Sequence, residues 1–271
     1  MLVSMHRKEE AIFPVFDECL GLRGKVLENA NTDLLGTFTG EIPRNAGPLE
    51  TLKQKCRNWL SLATEHDLIV ATEGSFGPHP HLFFIPAHQE LIHLIDLKNN
   101  WEITESIIST ETNFARSVVH SEKELIEFAE KAGFPEHGII IRTGNPEVPY
   151  YKGIHDEAKL ISAYNEAMIS GKSVEVETDM RALHNPKRMK VISLLAEKLC
   201  KRLLCTCPEC NLPGFGFVEP VYGLACELCG NETNELKYEL HGCVRCNFKK
   251  QVVPNGGKSF ADAGNCPFCN P

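Results

Sequence analysis

Cys207-Pro-Glu-Cys210, Cys226-Glu-Leu-Cys229, Cys243-Val-Arg-Cys246 and Cys266-Pro-Phe-Cys269 fill the last quarter of the chain. Each pair sits in a knuckle-like setting, before Asn-Leu-Pro-Gly, before Gly230, after His241-Gly242 and before Asn-Pro respectively. A tight Cys-x-x-Cys turn lets two thiolates converge on one metal, and Zn²⁺ asks for four in a tetrahedron at about 2.3 Å. The first two pairs read C-x2-C-x15-C-x2-C and the last two C-x2-C-x19-C-x2-C, both within zinc-site spacing. These eight cysteines predict two zinc ions. A shell of four thiolates leaves no position for water, so the expected role is structural. Sequential sharing, first pair with second and third with fourth, is the simplest reading. Cross-braced and nested arrangements use the same ligands.

A disulfide framework would need an oxidising compartment. Met1 is followed by Leu-Val-Ser-Met-His-Arg-Lys with no apolar run behind it, so no secretory signal is visible. Reduced thiols, zinc and a cytoplasmic location are the expectation. The segments Leu82–Ile85 and Leu91–Ile95 are strand-sized, far short of a membrane span. A net charge of −8 argues against broad binding to nucleic acid, which rests on neutralising phosphates. Lys201, Arg202, Lys249, Lys250 and Lys258 leave room for a local basic patch, or for an ordinary solvated surface. Cys19, Cys56 and Cys200 fall in apolar periodic stretches and read as small core residues.

Upstream of the cysteines, helix and strand signals alternate. Residues 1–203 are expected to form an α/β domain, a mixed sheet with helices on both faces. Residues 204–271 are expected to form a zinc-ribbon-like module, too short to bury a large core without metal. Leu49, Leu52, Cys56, Trp59, Leu60 and Ala63 share one helical face. Leu68–Thr72 reads as a buried strand running into a loop, Glu73-Gly-Ser-Phe-Gly-Pro-His-Pro80, dense in chain breakers. Ser121 with Glu124 makes a capping box. A strand at Gly138–Thr143, a helix at 156–169 and a strand at Val174–Thr178 suggest a βαβ unit. Asn185 as cap and Pro186 at the first position open a long helix through Leu203.

Three polar clusters stand at expected strand ends, where open α/β sheets place ligands. Ser4-Met-His6-Arg-Lys8 precedes a helix N-terminus and suits an anion such as phosphate, or is simply an exposed first turn. In Glu73-Gly-Ser75-Phe-Gly-Pro-His79 the carboxylate could bind Mg²⁺ and His79 could serve as acid, base or substrate contact. The plain alternative there is a structural turn. Glu177-Thr-Asp179-Met-Arg181-Ala-Leu-His184-Asn185-Pro-Lys-Arg188 leads into the long helix. Arg181 and Arg188 could clamp phosphate or stack on a base, with Asp179 orienting Arg181 or binding metal. Asp156, after Lys152-Gly-Ile-His155, reads as a helix cap.

Two resemblances enter on these residues. Thr37-Phe-Thr-Gly-Glu-Ile-Pro-Arg, Glu73-Gly-Ser-Phe-Gly-Pro-His-Pro, Thr178-Asp-Met-Arg-Ala, Asn185-Pro-x-Arg-Met and the terminal Cys-x-x-Cys-Asn-Pro resemble an uncharacterised bacterial domain-of-unknown-function family. Residues 1–80 and 175–190 are remotely similar to the inosine/xanthosine triphosphate pyrophosphatase family. Ser4-Met-His6-Arg-Lys8 resembles its Ser/Thr-x-Asn-x-x-Lys loop, with His for Asn and one residue fewer. Thr39-Gly-Glu41 and Thr51-Leu-Lys-Gln-Lys55 resemble its Thr-Gly-Glu region and basic helix.

The resemblance implies a Mg²⁺-dependent hydrolase of phosphorylated small molecules, a nucleoside triphosphate pyrophosphohydrolase above all. Ser4, His6, Lys8, Lys55 and Ser75 would hold phosphate, with Glu73 and Glu41 on Mg²⁺. Glu73, His79 and Asp179 are the catalytic candidates, and Arg181, His184 and Arg188 would contact base or leaving group. The rival from another class is a non-enzymatic module in which Phe215, Phe217, Phe248 and nearby lysines meet nucleic acid or a protein.

Overall fold

The computed structural model describes residues 1–28, 30, 32, 46–62, 65–142, 151–169, 173–254 and 256–271. The chain divides into two compact units, Met1–Leu199 and Cys200–Pro271.

The first unit opens with β1 (Leu2–Val3), α1 (Glu9–Leu20) and α2 (Pro48–Asn58), followed by β2 (Leu68–Pro78), β3 (Pro86–Asp96) and β4 (Trp101–Ser109). These strands form a sheet in the order β1-β2-β3-β4, with β1 parallel to β2 and the other neighbours antiparallel. Successive side chains on a strand face opposite ways. Ile69 and Ala71 accordingly pack with Leu52 and Cys56 of α2. On the other face, Leu2, Val70 and Leu94 meet Ile12 and Phe16 of α1 around a cavity of about 220 Å³.

A second sheet follows, built from β5 (Arg116–Val119), α3 (Glu122–Ala132), β6 (Ile139–Arg142), β7 (Tyr151–Ile154), α4 (Glu157–Ile169) and β8 (Val174–Thr178). Its order is β5-β8-β6-β7 and every neighbouring pair is antiparallel. Ile139, Ile141, Val174 and Val176 share a core with Leu125 and Ala129 of α3 and Leu160 and Ala163 of α4. Ser121 accepts the Glu124 amide at 3.3 Å and starts α3; Asp156 accepts that of Lys159 at 2.9 Å and starts α4.

Three expectations are corrected. The single mixed sheet is two sheets, the first mixed and the second antiparallel. The simple βαβ unit is absent: β6 and β8 are antiparallel neighbours, with Ile141 opposite Val176. The strand that α4 joins in parallel to β8 is β7, on the far side of β6, giving the split form of the motif. Finally, Glu73–Pro78 is strand and not loop, since each residue from Leu68 to Pro78 has a partner on β3.

That last correction explains Gly74. A Cβ there would overlap the Glu90 carboxylate of β3 and lie 2.6 Å from Arg188 Nη2. Arg188 belongs to α5 (Pro186–Leu203), whose Asn185 cap accepts the Arg188 amide at 3.0 Å. No helix among the described residues is long and apolar enough to cross a membrane.

In the second unit, β9 (Gly216–Tyr222), β10 (Leu236–Gly242) and β11 (Lys249–Val252) form an antiparallel sheet in the order β11-β10-β9. Beyond α5 its buried apolar side chains, among the described residues, are Cys207, Leu224, Cys226, Ala261 and Cys266. Three of these five are knuckle cysteines, so hydrocarbon alone does not make this core.

Gly74→Ala should separate Arg188 from Glu90. Breaking a buried ion pair costs about 3–5 kcal/mol. Urea denaturation should show the loss, and an unchanged midpoint would mean the pair does not depend on the missing Cβ.

Candidate functional site

Residues Thr72–Gly74 of β2 gather one set of charges. Lys8 Nζ donates to Thr72 Oγ1 at 2.9 Å, and Lys55 pairs with Glu73. Strand alternation puts Thr72 and Gly74 on one face and Glu73 on the other. On the Thr72 face, Arg188 Nε donates to Glu90 Oε1 at 2.6 Å and His88 Nε2 lies 2.8 Å from the same oxygen. Phe76 stacks on His88 with centroids 4.4 Å apart, and the Arg188 guanidinium lies 5.3 Å from the Phe76 ring centre. All of Lys8, His88, Glu90 and Arg188 are buried. Burial, with Arg188 next, brings the Lys8 ammonium down to about 7. Burial would raise the Glu90 carboxyl, but Arg188, Lys8 and His88 outweigh it and hold it well below the usual range.

The second set is nearer the surface, where β8 hands over to α5. Burial works to raise the Asp179 carboxyl, and the Arg181 guanidinium overcomes it by hydrogen bonding and charge, leaving its pKa lowered. Asp179 Oδ1 accepts from Arg181 Nε at 3.0 Å and Oδ2 from the Gly153 amide at 3.0 Å. His155 Nε2 lies 2.9 Å from His184 Nδ1, and His155 Nδ1 lies 2.7 Å from the Pro135 carbonyl. Two glycines make this possible. A Cβ on Gly153 would sit 2.8 Å from His184 Nε2, and one on Gly138 2.9 Å from His184 Cβ. His6 lies close enough to act on the charge of His184. It is held by a β1–α1 turn in which His6 and Arg7 are both left-handed, at φ 67° and 60°. Such backbone costs non-glycine residues about 1–2 kcal/mol each.

The structure thus brings Lys8, Lys55, Glu73 and Arg188 to one strand segment, and His6, Arg181 and His184 to one surface with Asp179 buried beneath Arg181. Ser4 is buried, its hydroxyl donating to the Met5 carbonyl at 3.1 Å. Ser75 follows Glu73 on the same face of β2. His79 stands apart, six residues or roughly 20 Å along the hairpin from Glu73. Its Nδ1 accepts the amides of His81 and Leu82 at 3.2 Å, a turn-closing role. Glu41, with Thr39 and Gly40, lies outside the described residues. Residues that the motifs did not single out are His88, Glu90, Gly138, Gly153 and His155. His88 and Glu90, at alternate positions and so on one face of β3, were the available signal.

Magnesium at Glu73 does not fit. A hard cation needs free anionic oxygens, and the buried Glu73 carboxylate is already engaged by the Lys55 ammonium. Among the described residues, groups of three or more potential ligands form only at the cysteines.

Those groups are Cys207, Cys210, Cys243, Cys246 and Cys226, Cys229, Cys266, Cys269. The pairs interleave, first with third and second with fourth, which corrects the sequential expectation. Sheet pairing explains it, because β10 leads into the third knuckle while lying against β9, which leaves the first. Cross-pair Sγ separations are 3.6 Å in the first group and 3.6 and 3.9 Å in the second. A tetrahedron with 2.3 Å metal–sulfur bonds requires about 3.8 Å, so each group could hold a zinc ion. All eight are free thiols, and amides of Leu228 and Arg245 point at Cys226 and Cys243 Sγ at 3.4 Å. The family described as "Domain of unknown function (DUF6671)" matches residues 55–271, which include both cysteine groups, Glu73, Asp179 and Arg188.

The chain belongs to the DUF6671 family. The family match begins at Lys55, so the turn carrying Ser4, His6 and Lys8 precedes it. Searches of curated proteins and of solved structures found no match.

Burial lowers the pKa of His93, His137 and His184 below the ordinary 6.5. A base with a depressed folded pKa contributes stability fully above its unfolded pKa, and loses it as pH falls through the folded value. The Tm should therefore climb between pH 5 and pH 7. A flat profile would contradict the buried neutral state of these rings.

Proposed function

We propose that the unit Met1–Leu199 is a hydrolase of phosphorylated small molecules, most closely a nucleoside triphosphate, and that Cys200–Pro271 is a zinc-ribbon-like structural module. The observation that carries the enzymatic reading is the convergence of His6, Arg181, His184 and His155 on one accessible surface, with the buried Asp179 holding Arg181. A guanidinium and imidazole rings offer donors and acceptors together, which phosphate transfer to water requires. Arg181 would hold a phosphate, while His184 and His6 face the reacting oxygen. Magnesium would enter only with a nucleotide's phosphates, since Glu73 is committed to Lys55.

The second reading, a binding module, is favoured by one feature of the other unit. Leu228 and Phe268, inside two knuckles of one cysteine group, are 75% and 67% exposed. They suit a protein partner better than nucleic acid does, because Phe215 and Phe248 pack on each other with centroids 5.7 Å apart.

For the metal module, the purified chain should carry two zinc ions. Interleaving makes a sharper expectation. Cys210→Ala with Cys229→Ala should abolish both sites, whereas Cys210→Ala with Cys243→Ala should spare one. One ion retained by the first double variant would restore sequential pairing.

For the enzyme, the chain should release phosphate or pyrophosphate from nucleotides, assayed with and without Mg²⁺. Arg181→Ala should lower kcat/KM about 10- to 100-fold, the loss of a charge-assisted hydrogen bond, with zinc content unchanged. No turnover and no nucleotide-induced shift in Tm would sink the hydrolase reading and leave the binding module.

A further inference from the structure

His155 and His184 form a directed chain of hydrogen bonds. The Pro135 carbonyl can only accept, so the 2.7 Å contact requires a proton on His155 Nδ1. With that ring neutral, His155 Nε2 is a lone pair, and the 2.9 Å contact requires the proton of His184 on Nδ1. The remaining nitrogen, His184 Nε2, is then an acceptor. It has no hydrogen-bond partner among the described residues, and unlike His93 Nε2 and His137 Nε2 it is not sealed from solvent. The ring edge bearing it lies over Gly153, where any side chain would collide.

We propose that His184 is the proton-accepting residue of this site, and that the Pro135 carbonyl, acting through His155 as a positioning residue, enforces the lone pair on His184 Nε2. The proposal rests on the hydrolase reading for its substrate, a water molecule beside a phosphate held by Arg181. A water O–H bond breaks and its proton passes to His184 Nε2, while the oxygen forms a bond to phosphorus. The phosphorus bond to the leaving oxygen breaks, and its electron pair stays on the departing phosphate. The imidazolium that results is shared with His155 through the 2.9 Å hydrogen bond.

The surroundings keep His184 neutral beforehand. Burial lowers its pKa first; Asp179 opposes, and Arg181, His155 and His6 lower it further. Asp179 and Arg181 come from the β8–α5 connection, His155 from the β7–α4 junction and His6 from the β1–α1 turn. The site loses its acceptor as pH falls and His184 itself takes up a proton.

The test is nitrogen NMR of the full chain with ¹⁵N-labelled histidine, read at pH 8 by long-range proton–nitrogen couplings. Both His155 and His184 should carry their proton on Nδ1, and His155→Ala should move that of His184 to Nε2. A wild-type His184 protonated on Nε2 overturns the proposal. On a substrate from the nucleotide assay, His184→Gln should lower kcat at least 100-fold. His155→Ala should lower kcat and shift the acid limb of the pH profile, with KM little changed. Undiminished kcat in His184→Gln also overturns the proposal. A chain with no turnover at all overturns the hydrolase reading instead, and the NMR result still decides the histidine chain.

Discussion

A guanidinium buried away from water governs the arrangement of the first unit. Arg188, on the first turn of α5, donates to Glu90 of β3 and to the Met180 carbonyl beyond β8. It thereby ties the two sheets through one side chain. Isolated buried charge is costly, so the pair holds only with good geometry and further hydrogen bonds. Those are present: His88 adds a contact to Glu90, Phe76 lies against the guanidinium, and Gly74 leaves the space. Glu90 Oε2 has no partner among the described residues, so the network is constrained without being saturated. The start of α5 is fixed by the same junction, since Asn185 caps the helix and also donates to Asn113 Oδ1 at 2.8 Å. Arg181 and His184, on the connection just before, take their positions from this anchor.

Elements with local causes were legible in the sequence. The Asn185-Pro186 start of α5, the Ser121 cap and the apolar run Leu68–Ala71 each act within a few residues. What was not legible depended on partners distant in sequence. The strand β7, Tyr-Lys-Gly-Ile, has no alternating apolar pattern, and without it the reversal of direction after β6 is invisible. Glu73–Pro78 reads as a loop in sequence because glycine and proline usually end strands. Here Gly74 answers to Glu90 and Arg188, sixteen and more than a hundred residues away.

The candidate site was legible by type more than by geometry. A histidine, an arginine and an aspartate after β8 could be picked out as chemistry-bearing residues. His155 could not, because its meaning comes from Pro135 on one side and His184 on the other. His79 carried the same letter and a suggestive setting, yet its ring closes its own turn. Composition identifies a group; only its hydrogen-bond partners say which of its atoms is left to react.

The interleaved cysteines bear on how the second unit comes together. Each group joins thiols 33 to 43 residues apart, where sequential pairing would span far shorter loops. Closure entropy grows only with the logarithm of loop length, so the longer reach adds less than 1 kcal/mol. The larger effect is on order of events. An ion held by Cys207, Cys210, Cys243 and Cys246 already draws the chain into the path that brings Cys226 and Cys229 towards Cys266 and Cys269. The first metal bears the ordering cost for both, and the second finds its ligands gathered. Loading of metal should then be cooperative, the second ion held more tightly than either is alone.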